Sequence, residues 1–355
     1  MLRPLLLCLL LAGCASARPA SIASDVSLPD TFLTALLEGR FDEARAVADR
    51  LQASGRIGAS LRARLRLGKL THDAALVRAI ASDPHVDLLR ADPLAWNELA
   101  RAVLWTVSVA DAAAFLESAC EDARLPADNR NRMCTCSYAA LGKLARERPM
   151  AIEGEPRTVV ELMTKVPLPV VLASVDGKAP EPFIVDTGAS TSILSRAFCD
   201  RAGIPYLTRH PQVGRSPGRD VTLFPALVDS IKVGGITVRN FPAQVMTFPP
   251  ELEVGGILAP QEAFRGLVTE VDGRELKLRL YRDLDEEGWA RLVGAPAHTA
   301  RLTWYDGGVY LRGRVGTSGE AWFIFDTGGG SSTLSSAAAK AKITAAAQRT
   351  RLVVG

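Results

Sequence analysis

Two hydrophobic periods divide this chain. From residue 29 to about 150, apolar positions recur every three or four residues, the spacing of one buried helix face. In the segment TFLTALLEGRFDEARAVADRLQ they fall at Phe32, Leu36, Leu37, Phe41, Ala44, Val47, Ala48 and Leu51. Gly39 interrupts the run, so the spacing predicts one helix ending near Gly39 and another starting near Asp42. Asp92-Pro93 predicts a capped helix start with proline in the first turn. A helix running from there through Trp105 lines up Trp96, Leu99, Val103 and Leu104 as one buried stripe. Further helices are predicted over 110–123 and from near Asp128.

Near Glu153 the period changes to that of strands. Runs at 158–164, 168–175 and 183–185 are β-branched and apolar, and Asp176-Gly177 marks a hairpin turn. More strands are predicted at 223–228, 230–233, 236–238 and 243–247, with a turn at Gly234-Gly235. An alternating run at 275–280 closes an all-β block over 151–282. Residues 283–300 read as a linker, and a second β block begins at 301. Its strands fall at 301–305, 309–315 and 321–325, separated by Asp306-Gly307-Gly308 and Thr317-Ser318-Gly319.

Both blocks run strand, turn, strand, turn, strand, Asp-Thr-Gly. The first copy reads FIVDTGASTSILS and the second WFIFDTGGGSSTLS. With Asp186 laid over Asp326, Phe183 meets Phe323, Ile184 meets Ile324, Leu194 meets Leu334 and Ser195 meets Ser335. The match reads as an internal duplication.

A chain of 355 residues suits two or three domains. Hydrophobic content of 48% with 23% charge is that of folded protein, and a formal net charge of +3 is mild. The basic residues form no arm and no stripe with aromatics, which argues against nucleic-acid binding.

The N-terminus, MLRPLLLCLLLAGCASARP, has Arg3 followed by an apolar run too short for a permanent membrane span. Leu11-Ala12-Gly13-Cys14 resembles a bacterial lipobox, which implies cleavage before Cys14 and a lipid on that residue. Residues 1–14 are then a lipoprotein signal with its lipobox, and 15–28 a linker. The non-acidic Ala15 resembles outer-membrane sorting, so the expected location is the bacterial cell envelope, lipid-anchored to the outer membrane and facing the periplasm. The other reading is ordinary cleavage near Ala15-Ser16-Ala17. An oxidising compartment permits disulfides, and Cys120 can pair with Cys134 or with Cys136. The Cys134-Thr135-Cys136 spacing is too tight for the usual zinc pair. The helical block has no grouped polar constellation; Leu37-Glu-Gly-Arg-Phe-Asp-Glu-Ala44 resembles the turn into a tetratricopeptide-type helix. His72 and His85 are read as structural or solvent-facing.

Hydrolysis by carboxylates needs one acid and one base across a bound water, and two carboxylates held close share a proton. Asp186 and Asp326, each after an apolar strand, are the candidates. Gly188 and Gly328 let the backbone turn just after the acid. Thr187 and Thr327 can hydrogen-bond the neighbouring loop, and Ser190 can donate to the outer oxygen of Asp186. Residues 158–281 resemble a bacterial member of the retropepsin-like aspartyl protease family. The resemblance rests on the hairpin before the motif, on Asp186-Thr187-Gly188-Ala189-Ser190, on SIKVGGITVRNFPAQVM and on Gly256-Ile257-Leu258. It implies a small closed β-barrel with a flap, here expected over 208–224, and peptide-bond hydrolysis without metal or organic cofactor. The fold class expected is therefore multi-domain: an all-α, tetratricopeptide-like domain over 29–150, an all-β acid protease barrel, and a second, partial copy over 301–355.

Three features depart from the family pattern. Ala259 stands where the brace turn carries glycine, and Gly330 stands where Ser190 stands in the first copy. The given sequence runs only to Gly355 after Asp326, whereas the first block extends from Asp186 to about Arg282, so either the chain is a piece of a longer protein or the second lobe is partial. The leading expectation is an aspartic endopeptidase acting on polypeptide, its pair formed by Asp186 and Asp326. A variant forms the pair from Asp186 of two chains in a homodimer. The alternative is a non-catalytic surface lipoprotein that uses a degenerate protease fold and the helical domain to bind peptide or protein.

Overall fold

The computed structural model describes residues 26–124, 136–163, 168–209, 211–216, 219–294, 300, 302–305, 307–314, 320–329 and 351–354. A helical region comes first and a β-rich region follows. The helices are α1 (Asp30–Leu37), α2 (Phe41–Ala53), α3 (Ile57–Thr71), α4 (Ala74–Ala81), α5 (Asp87–Arg90), α6 (Pro93–Ala102), α7 (Val109–Glu121) and α8 (Cys136–Glu147). Gly39, at φ 69°, separates α1 from α2 where the pattern placed the break. Asp92 caps α6 by accepting from the N–H groups of Leu94 and Ala95. The helix then widens into a π-helical turn, Val103–Val107, and Trp96, Leu99, Val103 and Leu104 are all buried. Cys14, Cys134, the side chains of Cys120 and Cys136, and the helix start expected near Asp128 lie outside the described residues.

The first β block contains β1 (Ala151–Gly154), β2 (Arg157–Glu161), β3 (Val170–Val175), β4 (Glu181–Val185), β5 (Ile193–Ser195), α9 (Arg196–Ala202), β6 (Gln212–Ser216), β7 (Arg219–Val233), β8 (Ile236–Met246), β9 (Gly256–Leu258), α10 (Pro260–Ala263), β10 (Val268–Asp272) and β11 (Lys277–Tyr281). Strands β8, β5, β9, β4, β3 and β7 pair in that order, and β7 pairs back onto β8, which closes the ring. Its interior holds Val171, Phe183, Val185, Leu194, Phe198, Phe241 and Leu258. Alternation along β3 and β4 delivers Val171, Phe183 and Val185 inward, as a half-buried sheet requires. A hairpin of β6 and β7, with Gln212 opposite Leu223, occupies the place expected for the flap.

Each of the long strands β7 and β8 replaces two predicted ones. Their ladder runs from Phe224↔Val245 to Val233↔Ile236 and skips Asp229 and Asn240. Asn240 adopts φ 49°, and Arg148 at the end of α8 donates to both Asp229 and Asn240, the latter at 3.0 Å. A polar interruption therefore looks like a strand end in the sequence, while a helix tie carries the pairing across it. β1, β5, β9 and β10 escaped prediction because three to five residues carry too little period.

The expected linker over 283–300 contains a helix, α11 (Glu286–Val293), capped by Asp285 and with no buried residue. Next come β12 (Leu302–Tyr305), β13 (Gly308–Gly313) and β14 (Ala321–Ile324), one antiparallel sheet. The β13–β14 register repeats that of β3–β4. Val170↔Ile184 and Ala173↔Glu181 correspond to Tyr310↔Ile324 and Gly313↔Ala321. The offset of 140 residues is the one that separates Thr187 from Thr327. The repeat extends to a strand-end bond, Val185 N–H to Pro169 O in one copy and Phe325 N–H to Val309 O in the other. A further strand, β15 (Arg351–Val354), pairs with β10 in the sheet β15-β10-β11-β2.

Phe183 is wholly buried while Leu172, on the neighbouring strand, is 52% exposed. Phe183→Ala is expected to lower unfolding free energy by about 3–5 kcal/mol. Leu172→Ala should stay within about 0.5 kcal/mol of the parent. Urea unfolding measures both, and similar losses would contradict the packing described.

Candidate active site

Asp186 leaves the end of β4, and β9 holds that end in place. β9 runs parallel to β4, with Val185 beside Leu258, and Leu258 O accepts the Asp186 N–H at 2.9 Å. The other edge of β9 pairs with β5, so the segments before and after the Asp-Thr-Gly turn share one support. Ala259 fits this brace. It is buried, its N–H donates to Ser192 Oγ at 3.1 Å, and it precedes α10. The methyl that replaces glycine's hydrogen at this position is buried in the barrel wall.

The second Asp-Thr-Gly comes directly against the first. Thr187 N–H donates to Thr327 Oγ1 at 3.0 Å, and Thr327 N–H donates to Thr187 Oγ1 at 3.1 Å. Each hydroxyl in turn donates to a carbonyl of the other copy, Thr187 to Phe325 O at 2.7 Å and Thr327 to Val185 O at 2.8 Å. Every donor in this four-bond exchange has a partner related to it by the 140-residue offset.

Both carboxyls face the opposite loop. A Cβ placed on Gly188 would lie 2.5 Å from Asp326 Cγ, and one on Gly328 would lie 2.3 Å from Asp186 Cγ. Glycine is required at both positions by this close approach. Asp186 Oδ1 accepts from Gly188 N–H at 2.7 Å and from Gly328 N–H at 3.2 Å, one donor from each copy. Burial, followed by the hydrogen bond and charge of Asp326, raises the Asp186 carboxyl to about 6; the N–H groups of Gly188 and Ala189 oppose the rise. A proton held between two carboxylates in a half-dry cleft has this signature.

Ser190 requires a correction. No hydrogen bond joins it to Asp186, and it lies against the backbone of Gly307 instead. The loop comes up against the β12–β13 turn there. Three residues that the sequence did not single out stand behind the loop: Gln261, Glu262 and Arg265. Gln261 Nε2 donates to Ala189 O at 2.5 Å, and buried Glu262 accepts from Thr191 Oγ1 at 3.1 Å and from Ser192 N–H at 2.5 Å. One signal was available, a charged residue between a helix-starting proline and the apolar pair Ala263-Phe264. His72, read as structural or solvent-facing, ends α3 at φ 55° with its ring 4.7 Å from Trp304; burial and then Arg265 lower it to about 4.

Residues 171–260 match the family model described as aspartyl protease. That stretch holds Asp186 and the β9 brace and ends before Gln261; Asp326 lies outside it. No curated protein matches the chain.

The raised Asp186 carboxyl has a defined effect on stability. Its folded pKa exceeds the ordinary 3.8, so the folded state binds the proton more tightly. The resulting contribution is full below about pH 4 and is lost as pH rises through about 6. Asp186→Asn should flatten that part of the stability curve, read by urea unfolding between pH 3 and 8. Thr187→Val and Thr327→Val each strand a partner in the exchange and should each cost about 1–3 kcal/mol.

Proposed function

We propose that this protein is an aspartic-type endopeptidase in which Asp186 and Asp326 share one catalytic water. The aspartyl protease match over 171–260 supports peptidase function generally. The observation that carries the specific reading is the pairing of the two Asp-Thr-Gly loops within one chain, with a carboxyl from each facing the other. The shared register of β3–β4 and β13–β14 supports a duplicated hairpin that supplies both acids. It favours this arrangement over a pair made by two chains, because Thr327 occupies the position a second copy of Thr187 would take.

In this reading one carboxyl of the pair is protonated and the other ionised. The ionised group takes a proton from water as the oxygen attacks the scissile carbonyl. The protonated group donates to the carbonyl oxygen, giving a tetrahedral diol. Return of a proton to the amide nitrogen releases the amine. The strand edge of the β6–β7 hairpin offers backbone groups to an extended polypeptide. With Asp186 raised to about 6, the singly protonated pair persists to mildly acidic pH and is lost above it.

The full chain incubated with an unfolded protein should therefore cleave it best below about pH 6, with activity falling as pH rises past that value. Asp186→Asn and Asp326→Asn should each lower cleavage by about 10²–10⁴-fold. Activity that survives Asp326→Asn but not Asp186→Asn would instead indicate a pair formed between two chains. Absence of cleavage by the parent from pH 3 to 8 would leave peptide binding as the reading to pursue.

We also propose that Cys14 is lipidated, on the strength of Leu11-Ala12-Gly13-Cys14 at the end of the apolar run. This would hold the protein on a bacterial envelope membrane. Labelled fatty acid should enter the chain in a bacterial host, and Cys14→Ser should abolish both the label and the membrane association.

A further inference from the structure

Helix α10 leaves the brace strand β9 at once and grips three parts of the molecule within six residues. Gln261 Nε2 donates to Ala189 O at 2.5 Å and to Gly307 O at 2.6 Å. The first carbonyl lies on the loop after Asp186, and the second in the β12–β13 turn of the sheet that delivers Asp326. Glu262 holds the same Asp186 loop one step further on, through Thr191 and Ser192. Arg265 is half-buried and donates to Trp105 O at 3.1 Å and to Val107 O. Those carbonyls belong to the π-helical turn of the helical region.

The helical region also grips the Asp326 sheet directly. Trp322 Nε1 donates to Leu37 O at 3.0 Å, and Arg312 donates to Glu38 O. Lys69 Nζ sits 5.3 Å over the Tyr305 ring, and His72 packs on Trp304. The sheet is thus held by helices along its strands and by Gln261 at its first turn. An amide nitrogen with two protons can serve two carbonyls at once, which a carboxylate of the same shape cannot.

We propose that Gln261 and Arg265 are positioning residues through which the helical region sets the spacing of the two acid loops. The proposal rests on reading Asp186 and Asp326 as the catalytic pair. Neither residue touches the pair. Gln261 acts through Ala189 and Gly307, and Arg265 fixes α10 against the helices. The helical region is then a working part of the site, since it orients a sheet that carries one of the two acids.

The test uses the full chain with Gln261→Ala, Gln261→Glu, Arg265→Ala and Arg265→Lys. Three readouts are needed: kcat and KM on a fluorogenic peptide cut by the parent, thermal melting, and the ¹³C titration of the Asp186 carboxyl. Gln261→Glu and Arg265→Ala should lower kcat about 10–100-fold with KM within about twofold. They should also move the Asp186 titration midpoint by about half a pH unit or more. Arg265→Lys keeps a donor and should recover part of the loss. Should Gln261→Ala unfold, Gln261→Asn replaces it, since its amide is too short to span both carbonyls. Folded Gln261 and Arg265 variants with parental kcat and an unmoved Asp186 titration would overturn the proposal. A parent that cuts no peptide would defeat the catalytic reading, while the Asp186 titration would still decide whether Gln261 and Arg265 position the pair.

Discussion

The rest of the site depends on the exchange of hydrogen bonds between Thr187 and Thr327. Two carboxylates repel when both are ionised, so loops that carry them have no reason to approach unless something else holds them. Here each threonine donates its N–H to the other hydroxyl, and each hydroxyl donates to a carbonyl across the junction. All four bonds sit beside the acids, and the glycines that follow leave no side chain in the gap. Burial first, and then that enforced approach of Asp326, raise the Asp186 carboxyl.

The two halves that meet there are supported unequally. Asp186 stands on a closed ring of strands, with β9 bonded to both flanks of its loop. Among the described residues Asp326 stands on an antiparallel sheet of three strands, and the helical region backs that sheet through Leu37, Glu38, Lys69 and His72. A sheet of this size buries little by itself and gains order from what it packs on. The helices, which carry no chemistry of their own in the sequence, thereby become part of what places the second acid.

Much of this was legible along the chain. The change of period near Glu153, the α1–α2 break at Gly39, the Asp92 cap and the hairpins around each Asp-Thr-Gly are local signals, and the structure repeats them. The short strands β5, β9 and β10 were not legible, because three to five residues form strands only where neighbours offer edges. Ser190 misled for a related reason. Its place beside the motif suggests a bond to Asp186, whereas the loop that carries it is placed by packing against Gly307, far along the chain.

The sequence by itself determined which residues could form the pair. Two Asp-Thr-Gly segments in the same frame, each after an apolar strand, name Asp186 and Asp326 and the threonines that tie them. Only the tertiary structure decided that the two segments meet within one chain, and that Gln261 and Arg265, on a four-residue helix and just past its end, reach the Asp186 loop, the β12–β13 turn and the helical region. The physical reason is range. Period and spacing record what a residue does to its neighbours along the chain, whereas a hydrogen bond across 140 residues depends on how whole sheets pack.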